Sequence, residues 1–131
     1  MIPPSHESTR LPATTLLLIA DTHVPNRARD LPEVAHVELD GVRLAVVHET
    51  GASMGRDKRC AAQFPDTDVL VFGHSHIPWD TTTDTGLRLL NPGSPTDRRR
   101  QPHHTLMTAE INDNRLTDVR LHRLGAGTAT P

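Results

Sequence analysis

The sequence predicts an α/β fold, an α+β sandwich that is rich in strands and has few helices. Short apolar runs recur along the chain and stop at glycine or polar residues, as buried strands do. Turn sequences of the Asp-Gly type separate several of these runs. Residues 51–64 form the only convincing helix candidate, which Pro65 would end.

The length of 131 residues fits one domain. We expect a disordered leader over residues 1–13, the domain over 14–124 and a flexible tail over 125–131. The formal net charge of −2 provides no electrostatic reason to expect nucleic acid or an acidic membrane as a partner.

Composition indicates which residues fill the core and which cellular compartment suits the protein. Aromatic residues make up only 2% of the chain, so Leu, Val, Ile and Ala must fill the core. Cys60 is the single cysteine, which excludes an internal disulfide and fits a reducing cytoplasm. Residues 1–10 contain no apolar run, so we expect neither a signal peptide nor a membrane span there.

The first half of the chain predicts one strand and one hairpin. A strand covers residues 14–20, and a polar loop rich in Arg, Asn and Pro follows over 21–32. Residues 34–39 and 42–47 flank Asp40-Gly41, which suits a type I′ hairpin turn. In the helix candidate that comes next, the apolar stripe would be Met54, Cys60, Ala61 and Phe64.

The second half predicts a buried strand and two more hairpins. The uninterrupted apolar run 69–72 is typical of a strand covered on both faces, and Gly73 would let the backbone turn after it. The hairpins are 79–85 with 87–90, and 104–111 with 116–124. Between them lie the turn 91–94 and the basic run 98–100, which we expect to be a solvated surface.

Metal-capable side chains follow three of the apolar runs. These side chains are Asp21, His23, His48, His74 and His76. Each residue alone is explained better as a capping aspartate or a hydrogen-bonded loop histidine. Because ligands collect at the carboxyl ends of strands in open sheets, the set together predicts a site for zinc, manganese, iron or nickel. His103 and His104 are expected to be exposed loop histidines.

Over residues 16–124, the chain resembles the YfcE-type calcineurin-like metallophosphoesterases, most of which are phosphodiesterases with two divalent metals. Four motifs carry the resemblance in order. They are Asp21-x-His23, His48 at a strand end, Gly73-His74-Ser75-His76, and Asn91-Pro92-Gly93-Ser94. Any one of them is weak, whereas the ordered set is specific.

The resemblance implies a ligand set. Asp21, His23 and His76 would hold the first metal, and His48 and His74 the second. Asn91, Gly93 and Ser94 would present backbone amides to the phosphate of a substrate, although Pro-Gly more often marks an ordinary turn. No catalytic residue beyond the metal ligands is assigned.

The sequence also departs from the family. His48 is followed by Glu49-Thr50-Gly51 where the family has glycine directly. The Gly-Asp motif, whose aspartate bridges both metals, and the Gly-Asn motif are missing before His48, and neither Asn26 nor Asp30 has the context to replace them. The fold expected is therefore a truncated calcineurin-like metallophosphoesterase fold that lacks roughly forty to fifty residues, judged from the usual length of βαβ units.

Three functions remain open. The first is a metal-dependent phosphoesterase that hydrolyses a small phosphate ester with one or two ions, its activity reduced or lost with the missing ligands. The second is an inactive protein-binding scaffold, as the retromer subunit of this fold is thought to be. The third is a degenerate deletion product. Loss of the central strands would also expose an edge of the first strand, which predicts a homo-oligomer.

Overall fold

The structure, a computed structural model, describes residues 14–20, 34–95 and 103–124. The expected leader and tail, the loop 21–32 and the basic run 98–100 lie outside these ranges. The elements in chain order are β1 (Thr14–Leu18), β2 (Val34–Leu39), β3 (Val42–Val47), α1 (Arg56–Gln63), β4 (Val69–Val71), β5 (Trp79–Thr82), β6 (Arg88–Asn91), β7 (His104–Asn112) and β8 (Arg115–Leu124).

The strands form two sheets. In the five-stranded sheet the order is β2-β3-β4-β6-β5, with β3, β4 and β6 parallel and the two outer strands antiparallel to their neighbours. The three-stranded sheet is antiparallel, in the order β1-β7-β8. All three predicted hairpins are confirmed. Positive φ angles at Asp40 and Gly41, and at Asp113 and Asn114, agree with type I′ turns.

Two apolar clusters hold three layers together. One lies between the sheets and includes Leu44, Val71 and Met107, with side chains of β1 packed against it. The other joins the opposite face of the five-stranded sheet to α1, through Leu70 and Cys60 among others. All three residues of β4 are buried, as expected for a strand covered on both faces. The strand-rich sandwich with few helices is confirmed.

The helix is shorter than predicted. It begins at Arg56 because Gly55, at its N-terminal cap, has a left-handed φ of 72° that no helix continues through. Met54 therefore lies outside the apolar stripe and is 87% exposed, whereas Cys60 and Phe64 are buried as predicted. No helix within the described ranges is long and apolar enough to span a membrane.

The three-stranded sheet leaves part of its larger partner uncovered. The register places Val37 and Val46 on the same face as the buried Val42 and Leu44, yet each is 44% exposed. Among the described strands, β1 pairs with β7 on one side only, and its Leu17 is 62% exposed. Within the described ranges, Leu17 of β1 and the two valines are therefore the most exposed large apolar side chains of the two sheets.

Candidate metal centre

Two of the predicted ligands meet where parallel strands end. His48 follows β3 and His74 follows β4, and Val46 lies opposite Val71 in the register. The amide of Gly73 donates a hydrogen bond to the carbonyl of His48 at 2.9 Å, which extends the pairing beyond the strands. His48 Nε2 is consequently 3.1 Å from His74 Nδ1. The ring centroids are 5.0 Å apart, with an interplanar angle of 71°.

This separation fits two ligands of one ion. Imidazole nitrogens about 2.0–2.1 Å from a metal are about 2.9 Å apart at a right angle and about 3.4 Å apart at the tetrahedral angle. The observed 3.1 Å lies between these limits. The same separation also allows a hydrogen bond between the two ring nitrogens, in which either ring is the donor.

The turn that presents these histidines differs from the prediction. The left-handed backbone occurs at His74, with φ 74°, and at His76, with φ 64°, and not at Gly73. Non-glycine residues adopt this conformation at a cost, and such backbone strain tends to cluster at functional sites. Histidine is among the residues that tolerate it best.

The buried side chain of Asn91 forms hydrogen bonds with the turn that carries His74 and His76. Asn91 Nδ2 donates to Gly73 O at 3.4 Å and to Ser75 Oγ at 3.2 Å, and its Oδ1 accepts the amide of Gly93 at 2.9 Å. Asn91 ends β6, which pairs in parallel with β4, so Asn91 lies beside the turn that follows β4. The sequence motif predicts substrate binding for Asn91 and does not indicate this contact with the turn.

The other residues of the Asn91–Ser94 motif are also packed inside. Ser94 is buried, and its carbonyl accepts the amide of Thr105 in β7 at 2.9 Å. Gly93 has φ 75°, and a Cβ built on it would lie 1.9 Å from Thr105 Oγ1. Binding of substrate by Asn91, Gly93 and Ser94 stays a prediction.

The other predicted ligands are His76, Asp21 and His23. His76 is buried, with 3% of its surface exposed, whereas His48 and His74 are exposed. Asp21 and His23 lie outside the described residues. Both residues follow β1 in the sequence, and β1 belongs to the three-stranded sheet. The prediction that the ligands follow strands of one sheet therefore holds only for His48 and His74. Within residues 14–20, 34–95 and 103–124, no group of three or more His, Cys, Asp or Glu is arranged to hold a metal.

The prediction for His103 and His104 was wrong. Both are half-buried, and His104 begins β7 opposite Leu124 of β8. In the described part of the chain, the Nδ1 atoms of both rings are buried without a hydrogen-bond partner. His104 belongs to β7 beside β8 and His103 directly precedes it, so neither side chain is fully exposed.

Comparison with known proteins agrees with this architecture. Residues 20–114 match the calcineurin-like phosphoesterase superfamily domain. A protein of Mycoplasma pneumoniae named "Probable metallophosphoesterase" is 30% identical over 99 residues, and one of Mycoplasma genitalium is 40% identical over 65 residues. These matches cover 69% and 47% of this chain. They span only 60% and 37% of the two curated relatives.

Solved structures share the fold at low identity. A predicted phosphoesterase of Streptococcus pneumoniae superposes with a TM-score of 0.67 at 16% identity, covering 86% of this chain and 91% of that one. Vps29 of Entamoeba histolytica, solved with Zn²⁺, gives 0.57 at 22% identity, covering 81% and 66%. An archaeal phosphodiesterase gives 0.53 at 18% identity, covering 70% and 51%. The chain belongs to the calcineurin-like phosphoesterase superfamily.

Proposed function

We propose that this protein is a metal-dependent phosphoesterase that hydrolyses a small phosphodiester or monoester. The observation that carries the proposal is the His48–His74 pair, two imidazoles 3.1 Å apart at adjacent parallel strand ends. The family and the names of the relatives support the same chemistry. The Vps29 structure solved with Zn²⁺ supports a divalent ion on this fold.

The ligands we propose are Asp21, His23 and His76 for one ion and His48 and His74 for the other. Manganese, zinc, iron and nickel all suit such a set of nitrogen and oxygen donors. A bound divalent metal would lower the pKa of its water and offset negative charge on the phosphate oxygens. The chain's own part is to hold the imidazoles in place, and Asn91 contributes by hydrogen-bonding to the turn that carries His74.

We also propose that the chain lacks a segment its family carries, and that its activity is reduced as a result. Two observations support this: among the described strands β1 pairs on one side only, and Val37 and Val46 are exposed on the face that is otherwise buried against the three-stranded sheet. With the bridging aspartate and the asparagine ligand missing from the sequence, two ions would repel each other with less negative charge between them. A scaffold that binds proteins would have no use for the retained histidines, which argues against the inactive alternative.

The test combines metal analysis with turnover. The purified chain is stripped with a chelator and reloaded with Mn²⁺, its bound metal is measured by elemental analysis, and hydrolysis of bis-p-nitrophenyl phosphate is followed. We expect bound metal, and turnover that requires it. A folded protein with neither would exclude the enzyme, and bound metal without turnover would favour the inactive relative.

Self-association through β1 is a further proposal. Among the described strands, one edge of β1 has no pairing partner, and such an edge next to the exposed Leu17 invites pairing with another chain. We expect the sedimentation coefficient to rise with protein concentration, and Leu17→Lys to suppress that rise because a charge would be buried in the interface. Gln63→Lys, which adds the same charge at an exposed position of α1 outside β1, is the control. A well-folded wild type that stays monomeric at every concentration would contradict the proposal.

We place the protein in the cytoplasm, on the ground that its single cysteine suits a reducing compartment. Its partner would be a small phosphate ester, with nucleic acid not expected at a net charge of −2.

A further inference from the structure

Arg56 is a buried cation with unusual neighbours. It begins α1 and is only 6% exposed. Its Cζ lies 4.8 Å from the ring centroid of Phe72 and 4.4 Å from that of Trp79. One Nη2 hydrogen bond, of 3.1 Å, goes to the carbonyl of Gly51, and Nε has no hydrogen-bond partner within the described ranges. Burial lowers the pKa of Arg56 from its usual value, which reflects the cost of keeping the charge there.

The contacts of Arg56 belong to the two loops that carry the histidine pair. Phe72 directly precedes Gly73 and His74, and Trp79 begins β5 where the loop through His76 ends. The Gly51 carbonyl lies in the loop that follows His48. One guanidinium therefore touches both sides of the site without being one of the metal-capable residues.

We propose that Arg56 is a positioning residue, which ties the loop after His48 to the loop of His74 and His76 and so keeps the two imidazoles at the spacing one ion requires. The inference rests on the proposed metal-dependent function. It names a residue that the four sequence motifs do not contain.

The chemistry of arginine suits this task. A planar guanidinium stacks on an aromatic ring at each face while its edge still donates hydrogen bonds, which a lysine ammonium does not do. The two desolvated cation–π contacts offset part of the cost of burying the charge.

Arg59 offers a comparison on the same helix. Its guanidinium donates to the carbonyls of Thr50 at 2.5 Å, Ala52 at 2.8 Å and Met54 at 3.2 Å. All three carbonyls belong to the loop after His48, and Arg59 itself is exposed. Arg59 thus orders one loop, whereas Arg56 joins two.

The experiment measures Co²⁺ binding to the full chain, by titration and by the visible absorption of the bound ion. We expect Arg56→Met to weaken Co²⁺ affinity by about 10–100-fold, the usual effect of losing a residue that supports metal ligands, and to alter the spectrum. Arg56→Lys should also bind weakly, since it keeps the charge but not the stacking. Arg43→Met is the control, because Arg43 pairs with Asp68 at the start of β3, away from both loops, and should bind as the wild type does. Arg59→Met should lose less affinity than Arg56→Met.

Chemical rescue separates positioning from a loss of stability. We expect millimolar methylguanidinium to restore Co²⁺ binding to Arg56→Ala, by filling the space between the two rings, and to leave the wild type unchanged. Wild-type affinity in folded Arg56→Met and Arg56→Lys would overturn the proposal. So would Arg56→Ala that is folded and not rescued. Failure of the wild type to bind Co²⁺ would instead count against the proposed function itself.

Discussion

Replacing His74 by asparagine should remove the metal site it shares with His48 and abolish phosphodiesterase turnover. His48 alone provides one nitrogen, so the loss of affinity should exceed the ~10–100-fold typical of changes outside the ligand set. Asparagine is the substitution of choice because it tolerates the left-handed backbone that His74 adopts, at φ 74°. The measurement is Mn²⁺ or Co²⁺ titration together with hydrolysis of bis-p-nitrophenyl phosphate.

Two further variants complete this test. His36→Asn, on the exposed side of β2, should change neither readout. His76→Asn should remove the other ion, the one that the resemblance assigns to His76 with Asp21 and His23. If one ion alone binds to the wild type, we expect His76→Asn to eliminate it. Unchanged affinity and turnover in His74→Asn would show that the 3.1 Å pair is structural only.

Gly93→Ala should destabilise the fold severely. The added methyl would lie 1.9 Å from Thr105 Oγ1 and 3.2 Å from Pro78 Cγ, so it is confined from two sides. Threonine is stiff at χ1, and its hydroxyl donates a 2.8 Å hydrogen bond to Pro92 O that the methyl would displace. Overpacking costs roughly 1–3 kcal/mol. The left-handed φ of 75° adds about 1–2 kcal/mol for any residue with a Cβ.

The loss is measured as the change in the free energy of unfolding from urea denaturation. Gly86→Ala is the matched control, since Gly86 also has a positive φ, of 94°, but nothing within 4 Å of its added Cβ. It should therefore lose only the backbone contribution. Equal losses in the two variants would refute the steric account of Gly93.

Local sequence signals predicted the strands and hairpins well. Asp40-Gly41 specifies a turn whose two residues need positive φ, and no distant contact is required to form it. The run 69–72 is apolar at every position because β4 is covered by a sheet on one face and by α1 on the other. The apolar runs also predict correctly that His48 and His74 follow strands.

Local sequence signals did not predict contacts between segments that are distant in the sequence. Met54 fits a helical stripe by spacing, but Gly55 adopts a left-handed cap and leaves it in solvent. The backbone turn falls on His74 and His76 because Asn91, from another strand, holds the loop between them. No local pattern marks Arg56, whose aromatic neighbours are far from it in sequence.

Hydrophobic periodicity and motifs in a fixed order are enough to predict the family, the strand-rich fold class and the residue types that can bind a metal. The packed molecule is needed to show that His48 and His74 come within 3.1 Å, that β1 joins the other sheet, and that Asn91 and Arg56 support the loops. The approach of His48 and His74 results from the parallel pairing of β3 with β4. Such pairing joins segments that are far apart in the sequence, so it depends on the fold of the whole molecule.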